Sequence, residues 1–253
     1  MKGTVYLVGA GPGAADLLTL RAARLLGEAD VVFHDALIAE EVLRLASGAR
    51  RIAVGKRSGR HSTAQHFINK RLADAARTHQ VVVRLKGGDP MLFGRAYEEI
   101  AYLGARGIRV EVVPGVTAAL AASAELAISL TRRGAARSVA FVTPRVGKGE
   151  RESRWVASVL AADTAAIYMG AGDSAAIAAA LIGAGKPADT PVAMVEDASL
   201  PGATVQFATL ADLPRVATRG GPTLILLGEV YREALAAAGA QRLRERLPTS
   251  QTL

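Results

Sequence analysis

The chain has no cysteine and a single tryptophan, Trp155, and only 4% of its residues are Phe, Trp or Tyr. Without thiols there is no disulfide, no thiolate-held zinc, no cysteine-ligated iron–sulfur cluster and no cysteine nucleophile. The few aromatics do not interleave with basic residues and no nucleic-acid motif is present, so stacking on bases is poorly supplied. The net charge of +8, from 31 Lys plus Arg against 23 Asp plus Glu, therefore favours a different anionic partner, and a small polycarboxylate suits it. No nucleic acid is expected. Long hydrophobic runs are missing too, and nothing approaches the ~20 apolar residues of a membrane helix. At the N-terminus, Val5 to Val8 run straight into Gly9, Gly11 and Gly13, which is not the layout of a signal peptide. A soluble cytoplasmic protein without a membrane partner is the expectation. The four histidines, His34, His61, His66 and His79, lack the helical spacing of a metal site, and no metal is expected.

What is present is an α/β pattern. Half of the 253 residues are hydrophobic and 26 are glycine, which argues against disorder and for a sizeable core. Thr4 to Val8, Val31 to Phe33, Arg51 to Val54, Val81 to Leu85 and Val110 to Val113 read as short strands, separated by helical stretches such as Leu17 to Leu26 and Phe67 to Arg77. A second series follows: Val139 to Thr143, Ala165 to Tyr168, Val192 to Val195, Val205 to Ala208 and Leu224 to Leu227, with an Ala-rich helix over Ser174 to Ile182. Two α/β domains are expected, residues 1–118 and 119–246, with a frayed tail over 247–253. No internal repeat is evident.

Chemistry concentrates in two turns. Gly9-Ala-Gly-Pro-Gly-Ala14 lies between the first strand and the first helix, the position of a dinucleotide-binding turn, yet Pro12 removes an amide that a pyrophosphate would use. A tight βα turn or an NAD-dependent dehydrogenase are the readings this turn alone leaves open; the second requires an acid about 20 residues on, where Asp30 or Asp35 stands. The richer segment is Arg84-Leu-Lys-Gly-Gly-Asp-Pro-Met-Leu-Phe-Gly-Arg-Ala-Tyr-Glu-Glu99, which leaves a buried strand through bare backbone, stops pairing at Pro90 and carries acids into the next helix. Strand ends of this kind are where open α/β sheets bind ligands.

Several segments together carry a family resemblance. They are Val8-Gly-Ala-Gly-Pro-Gly13, Ala29-Asp-Val-Val-Phe-His-Asp-Ala-Leu-Ile38, Gly55-Lys-Arg-Ser-Gly-Arg-His61 with Gln65 and Asn69, the Arg84 to Glu99 segment, Val112-Val-Pro-Gly-Val-Thr-Ala118 and Tyr168-Met-Gly170. In this order the chain closely resembles the uroporphyrinogen-III C-methyltransferases of the S-adenosylmethionine-dependent tetrapyrrole methylase superfamily, from residue 4 to about residue 228.

The resemblance implies two αβα domains with the active site in the cleft between them, assembled as a homodimer. It implies transfer of methyl groups from S-adenosylmethionine to C2 and C7 of uroporphyrinogen III, through precorrin-1 to precorrin-2, with S-adenosylhomocysteine as by-product and sirohaem or cobalamin as destination. Another corrinoid-pathway methylase is the nearest alternative. Carried over position by position, Pro12, Gly87, Gly88, Asp89, Leu92, Thr117, Ala118, Met169, Ala198 and Thr223 fall where the family holds the cofactor. Asp35 falls at the proton acceptor and Lys56 at the proton donor. Arg57, Arg95, Glu98, Arg132 and Arg133 are expected to bind the substrate carboxylates, and His61 is a further candidate. The residues alone leave plainer roles open: a helix cap for Asp35, an Asx turn for Asp89 and a local ion pair for Arg95 with Glu98. Departures from the family pattern are Ala14, Ala96, Tyr97, Ser129 and Arg132, where Asp, Gly, Gly, Pro and His are usual.

Overall fold

The computed structural model describes residues 3–54, 65–147 and 153–246, with backbone alone over 241–246. Lys56, Arg57, His61 and the tail 247–253 lie outside the described residues. Two compact units are present, Met1–Ala121 and Ala122–Leu253.

The first unit holds a five-stranded parallel sheet in the order β3-β2-β4-β1-β5. Its strands are β1 (Thr4–Gly9), β2 (Val31–His34), β3 (Arg50–Ala53), β4 (Val81–Lys86) and β5 (Arg109–Val113). Strand periodicity sends alternate residues to opposite faces. Val5, Leu7, Val31, Phe33 and Val82 therefore pack on one side against Ile68 and Leu72 of α3 (Gln65–Ala75) and Leu103 of α4 (Ala96–Gly104). Val8, Val32, Val83 and Leu85 pack on the other against Leu25 and Leu26 of α1 (Leu20–Glu28) and Val42 and Leu43 of α2 (Glu40–Arg44). Helices on both faces make the continuous apolar strands of a buried parallel sheet. The first helix starts later than its apolar pattern suggests: Thr19 Oγ1 accepts from the Ala22 amide at 3.1 Å and caps α1, so Ala15–Leu17 form only a 3-10 turn.

The second unit builds a mixed sheet in the order β6-β7-β10-β8-β9. Only β6 (Val139–Val142) and β7 (Thr164–Ile167) are parallel, joined through α6 (Trp155–Ala161). Strands β8 (Pro191–Glu196), β9 (Thr204–Thr209) and β10 (Thr223–Gly228) follow one another without an α-helix between them, and β8 pairs antiparallel with β9 and β10. The short connection from β8 to β9 permits only the antiparallel direction, whereas the longer segment after β9 carries the chain across β8 to β10, which runs parallel to β9. One face buries Val159, Ile167, Ile177, Leu181, Met194 and Ile225 under α6 and α7 (Ser174–Gly183). Helix α8 (Arg232–Arg246) packs against β8 and β9. The remaining helix, α5 (Ala118–Leu126), runs across the division between the units.

Candidate functional site

Three neighbouring strands of the first unit, β4, β1 and β5, deliver their loops to the same end of the sheet. The loops are tied together by backbone. Ala10 N–H donates to Lys86 O at 2.8 Å, Gly88 N–H to Gly11 O at 2.7 Å and Gly11 N–H to Gly88 O at 3.3 Å. Gly9 and Gly115 leave no room for a side chain: a Cβ on Gly115 would lie 2.3 Å from Gly88 O, and one on Gly9 would lie 2.6 Å from the Gly115 nitrogen. Glycine is required here by close approach. Gly88, at φ +65°, occupies the left-handed region, whereas a Cβ on Gly87 meets nothing within 4 Å. The junction is closed inward and open at Gly87.

Asp89 is the side chain that locks this junction. Its Oδ1 accepts from the Met91 amide at 2.8 Å, the Asx turn, and its Oδ2 accepts from the Gly115 amide at 2.9 Å. The first bond folds the β4 loop and the second pins the β5 loop to it. Thr117, buried, stands before α5, and its carbonyl accepts from Leu120 N–H at 3.0 Å and Ala121 N–H at 3.2 Å. Ala118 opens that helix. Pro12 and Leu92 are half-buried on the flanking turns.

Behind the junction lies a buried charged network. Val82, Arg84 and Lys86 share one face of β4 by alternation, and Ala96, Glu99 and Leu103 share the buried face of α4. Arg84, Lys86 and Glu99 are each at most 4% exposed. Arg84 Nε donates to Glu99 Oε1 at 3.1 Å, its Nη1 to Leu85 O at 3.0 Å, and its Nη2 to Asp35 Oδ1. Lys86 Nζ donates to both Glu99 oxygens at 3.2 Å, and Gln65 Nε2 adds a bond to Oε1 at 3.0 Å. Burial, reinforced by the Arg84 charge, pushes the Lys86 ammonium below the usual lysine range, against the opposing pull of Glu99 and Asp35. Asp35 does not cap α2, whose cap residue is Ala39 with no side-chain bond; its carboxylate is bound by Arg84 and is partly exposed.

Arg95 and Glu98 form a two-pronged ion pair, Nε to Oε1 at 2.7 Å and Nη2 to Oε2 at 2.8 Å, on the exposed rim of the same loop. The hydrogen bond from Arg95 lowers the Glu98 carboxyl below the ordinary glutamate value. Phe93 (φ 53°) and Arg95 (φ 57°) both adopt left-handed backbone, a conformation costly for side chains of this size. Ala96 is buried while Tyr97 is 82% exposed, so position 96 faces the core and position 97 faces solvent.

In the second unit, Met169 follows β7 with φ 57° and an exposed side chain. Gly170 behind it touches the core, since a Cβ there would lie 2.6 Å from Ile177 Cδ1. Ala198 is buried between two left-handed residues, Asp197 (φ 54°) and Ser199 (φ 70°). Thr223 opens β10 and donates its hydroxyl to Gly221 O at 3.0 Å. The Ala198 and Thr223 loops are joined by a residue that the strand pattern passes over, Glu196. Its buried carboxylate accepts from Arg219 N–H at 2.9 Å and Gly221 N–H at 2.6 Å. Burial opposes its ionisation, but these amides and the Arg219 guanidinium outweigh that and hold it below the ordinary glutamate value. Arg132 is paired with Glu233 of α8 at 2.9 Å, and Arg133 is exposed.

Bare backbone gathered at the carboxyl ends of adjacent parallel strands is the ligand-holding arrangement of open α/β sheets, and it defines the class of this molecule. Among the described residues no group of three or more His, Asp or Glu forms a metal site, and no helix is long and apolar enough to cross a membrane. The chain belongs to the tetrapyrrole (corrin/porphyrin) methylases, whose family model matches residues 4–214. It is 46% identical over 240 residues to a sirohaem synthase of Pseudomonas fluorescens, covering 92% of this chain and 52% of that protein. It is 45% identical over 235 residues to the chloroplastic S-adenosyl-L-methionine-dependent uroporphyrinogen III methyltransferase of Arabidopsis thaliana, covering 90% of this chain and 63% of that protein. Among solved structures, uroporphyrin-III C-methyl transferase of Thermus thermophilus complexed with S-adenosylhomocysteine superposes with a TM-score of 0.81 at 42% identity, covering 91% of this chain and all of that one. The chain spans about half the length of the bacterial sirohaem synthases it matches. The fold expected from sequence, two α/β domains of the tetrapyrrole methylase type, is the fold observed.

Proposed function

We propose that the protein methylates uroporphyrinogen III at C2 and C7, using S-adenosylmethionine, to give precorrin-2 for sirohaem- or cobalamin-type synthesis. The observation that carries this reading is the Gly87–Asp89 turn, whose inner face is locked to two other glycine loops while Gly87 presents bare backbone to open space. Such a turn suits a ligand that is part nucleoside and part zwitterion, because backbone amides and carbonyls approach it without side-chain interference. When bound, S-adenosylmethionine supplies an electrophilic methyl group on a sulfonium and needs no metal.

The chain's own residues then divide the work. In the first unit Pro12, Gly87, Gly88, Asp89, Leu92, Thr117 and Ala118 are assigned to the cofactor, and in the second Met169, Ala198 and Thr223. Asp89 acts chiefly by shaping the loops, since both its oxygens already serve backbone amides. Asp35, anchored through one oxygen, is assigned to accept the proton that the macrocycle gives up for each methyl gained. Lys56 is assigned as a proton donor, its proton matched by a second one the macrocycle releases, so that each turnover loses one net proton. Arg57, Arg95, Arg132 and Arg133 are assigned to the carboxylates of the macrocycle, with Glu98 orienting Arg95. A homodimer belongs to the same reading.

A dehydrogenase is the weaker account. Asp30 stands before β2 and spends its Oδ2 on the Gln80 and Val81 amides at 2.8 Å each, at the wrong end of the strand for a ribose. The test is anaerobic incubation of purified protein with S-adenosylmethionine and uroporphyrinogen III, followed by mass spectrometry. The expected products carry first one and then two added methyl groups; absence of any methyl gain overturns the proposal.

A further inference from the structure

Arg84 binds Asp35 with one nitrogen, but a guanidinium on a flexible stem holds a carboxylate in one place only if its own plane is fixed. The structure fixes it from behind. Nε is held by Glu99, Nη1 by the Leu85 carbonyl, and Nη2 is left pointing at Asp35 Oδ1. Glu99, fully buried, is in turn gripped at both oxygens by Lys86, and Gln65 adds a donor. Two cations and two anions make the cluster neutral, the condition under which buried charges persist. Gly94 lies beside it: a Cβ there would lie 2.6 Å from Pro90 O and 3.1 Å from Lys86 Cε. Among the described residues Asp35 Oδ2 accepts no hydrogen bond, and it belongs to a partly exposed side chain.

We propose that Glu99, clamped by Lys86, is a positioning residue for proton acceptance: it fixes the Arg84 guanidinium, which holds one oxygen of Asp35 and leaves the other turned to the substrate. This rests on the reading of Asp35 as proton acceptor. Glu99 and Lys86 are buried, at 0% and 4% exposure, so their effect on Asp35 runs through Arg84. The cost of losing it falls on turnover, since misaimed catalytic groups slow a reaction without weakening binding in proportion.

The experiment compares wild type, Glu99→Gln, the double variant Lys86→Met with Glu99→Gln, Asp35→Asn, and Asp35→Asn with Glu99→Gln. The double variant removes both members of a buried pair at nearly constant volume, so no lone charge is left to unfold the chain, and a thermal melt near that of wild type is expected. Glu99→Gln and the double variant should lower kcat about tenfold or more, with KM and the S-adenosylhomocysteine Kd within about twofold of wild type. In the Asp35→Asn background the Glu99 substitution should change kcat less than about twofold, because the group it positions is gone. A second readout needs no turnover: the Arg84 Nε–H resonance in the nitrogen-15 spectrum should be resolved and protected in wild type and collapse into the bulk arginine signal in the Glu99 variants. Full kcat in the folded double variant, an undiminished Glu99 effect without Asp35, or an unchanged Arg84 resonance each overturns the proposal. A wild type that transfers no methyl overturns the functional reading instead.

Discussion

Replacing Asp89 by alanine removes one carboxylate that two loops depend on, and its consequence follows from where the two bonds lie. The Met91 amide is exposed, so water replaces Asp89 Oδ1 there at little cost. The Gly115 amide is not so placed, because Gly115 is packed on the backbone of Gly9 and Gly88. A hydrogen bond to an ionised group contributes about 1.5–3 kcal/mol, and leaving its half-buried donor unmet costs about the same. We expect Asp89→Ala to destabilise the protein by about 2 kcal/mol, a fall in Tm of about 4–8 °C for a chain of this size. S-adenosylhomocysteine affinity should fall about tenfold or more in parallel, because the turn carrying Gly87 is no longer pinned to the β5 loop. Asp89→Asn keeps one acceptor oxygen and should lose about half as much of each. Differential scanning calorimetry and isothermal titration on the same samples decide the matter. A variant that melts like wild type yet no longer binds would make Asp89 a direct ligand contact and refute the loop-pinning argument; a variant that melts lower yet binds normally would remove Asp89 from the site altogether.

Three further substitutions probe the neighbouring loops. Gly115→Ala forces a Cβ to within 2.3 Å of Gly88 O, so it should cost about 2–3 kcal/mol, whereas Gly87→Ala meets open space and should leave the melt unchanged while weakening S-adenosylhomocysteine binding; equal melts for the two variants would contradict the closed junction. Glu196 has a lowered carboxyl pKa, so its stabilisation is fully present above the ordinary glutamate value and is lost as pH falls through the lowered one. The Tm deficit of Glu196→Gln should therefore be largest near neutrality and shrink below the ordinary glutamate value, and a deficit independent of pH would show that the Glu196 charge is not what joins the Ala198 and Thr223 loops.

Much of the first unit was legible because buried parallel strands are short apolar runs and their helices follow in alternation. The second was legible in its strands and not in their direction, which depends on the short connection from β8 to β9 and on the longer return to β10. Local chemistry could be read from neighbours in the chain: Arg95 and Glu98, three residues apart on a helix start, do pair. Long-range partners could not. Gly115 lies 26 residues from Asp89, so nothing near Asp89 revealed that its second oxygen was already engaged. The Arg84, Lys86 and Glu99 network was half visible, since alternation put the two cations on one face of β4 and the i, i+3, i+7 spacing put Glu99 on the buried side of α4. What hid it was charge, which a sequence reading assigns to the surface.

The contact among Gly9, Gly88 and Gly115 has a bearing on how such a molecule diverges. The three-glycine contact itself is backbone on backbone, with no rotamers to adjust, and the one side chain bonded into it is Asp89, through the Gly115 amide. Novelty is displaced to the first positions that carry side chains around it. Ala14 on the β1 loop and Ala96 and Tyr97 at the head of α4 are such positions. A molecule built this way can change the side chains around the rim of the junction while the backbone contact itself stays untouched.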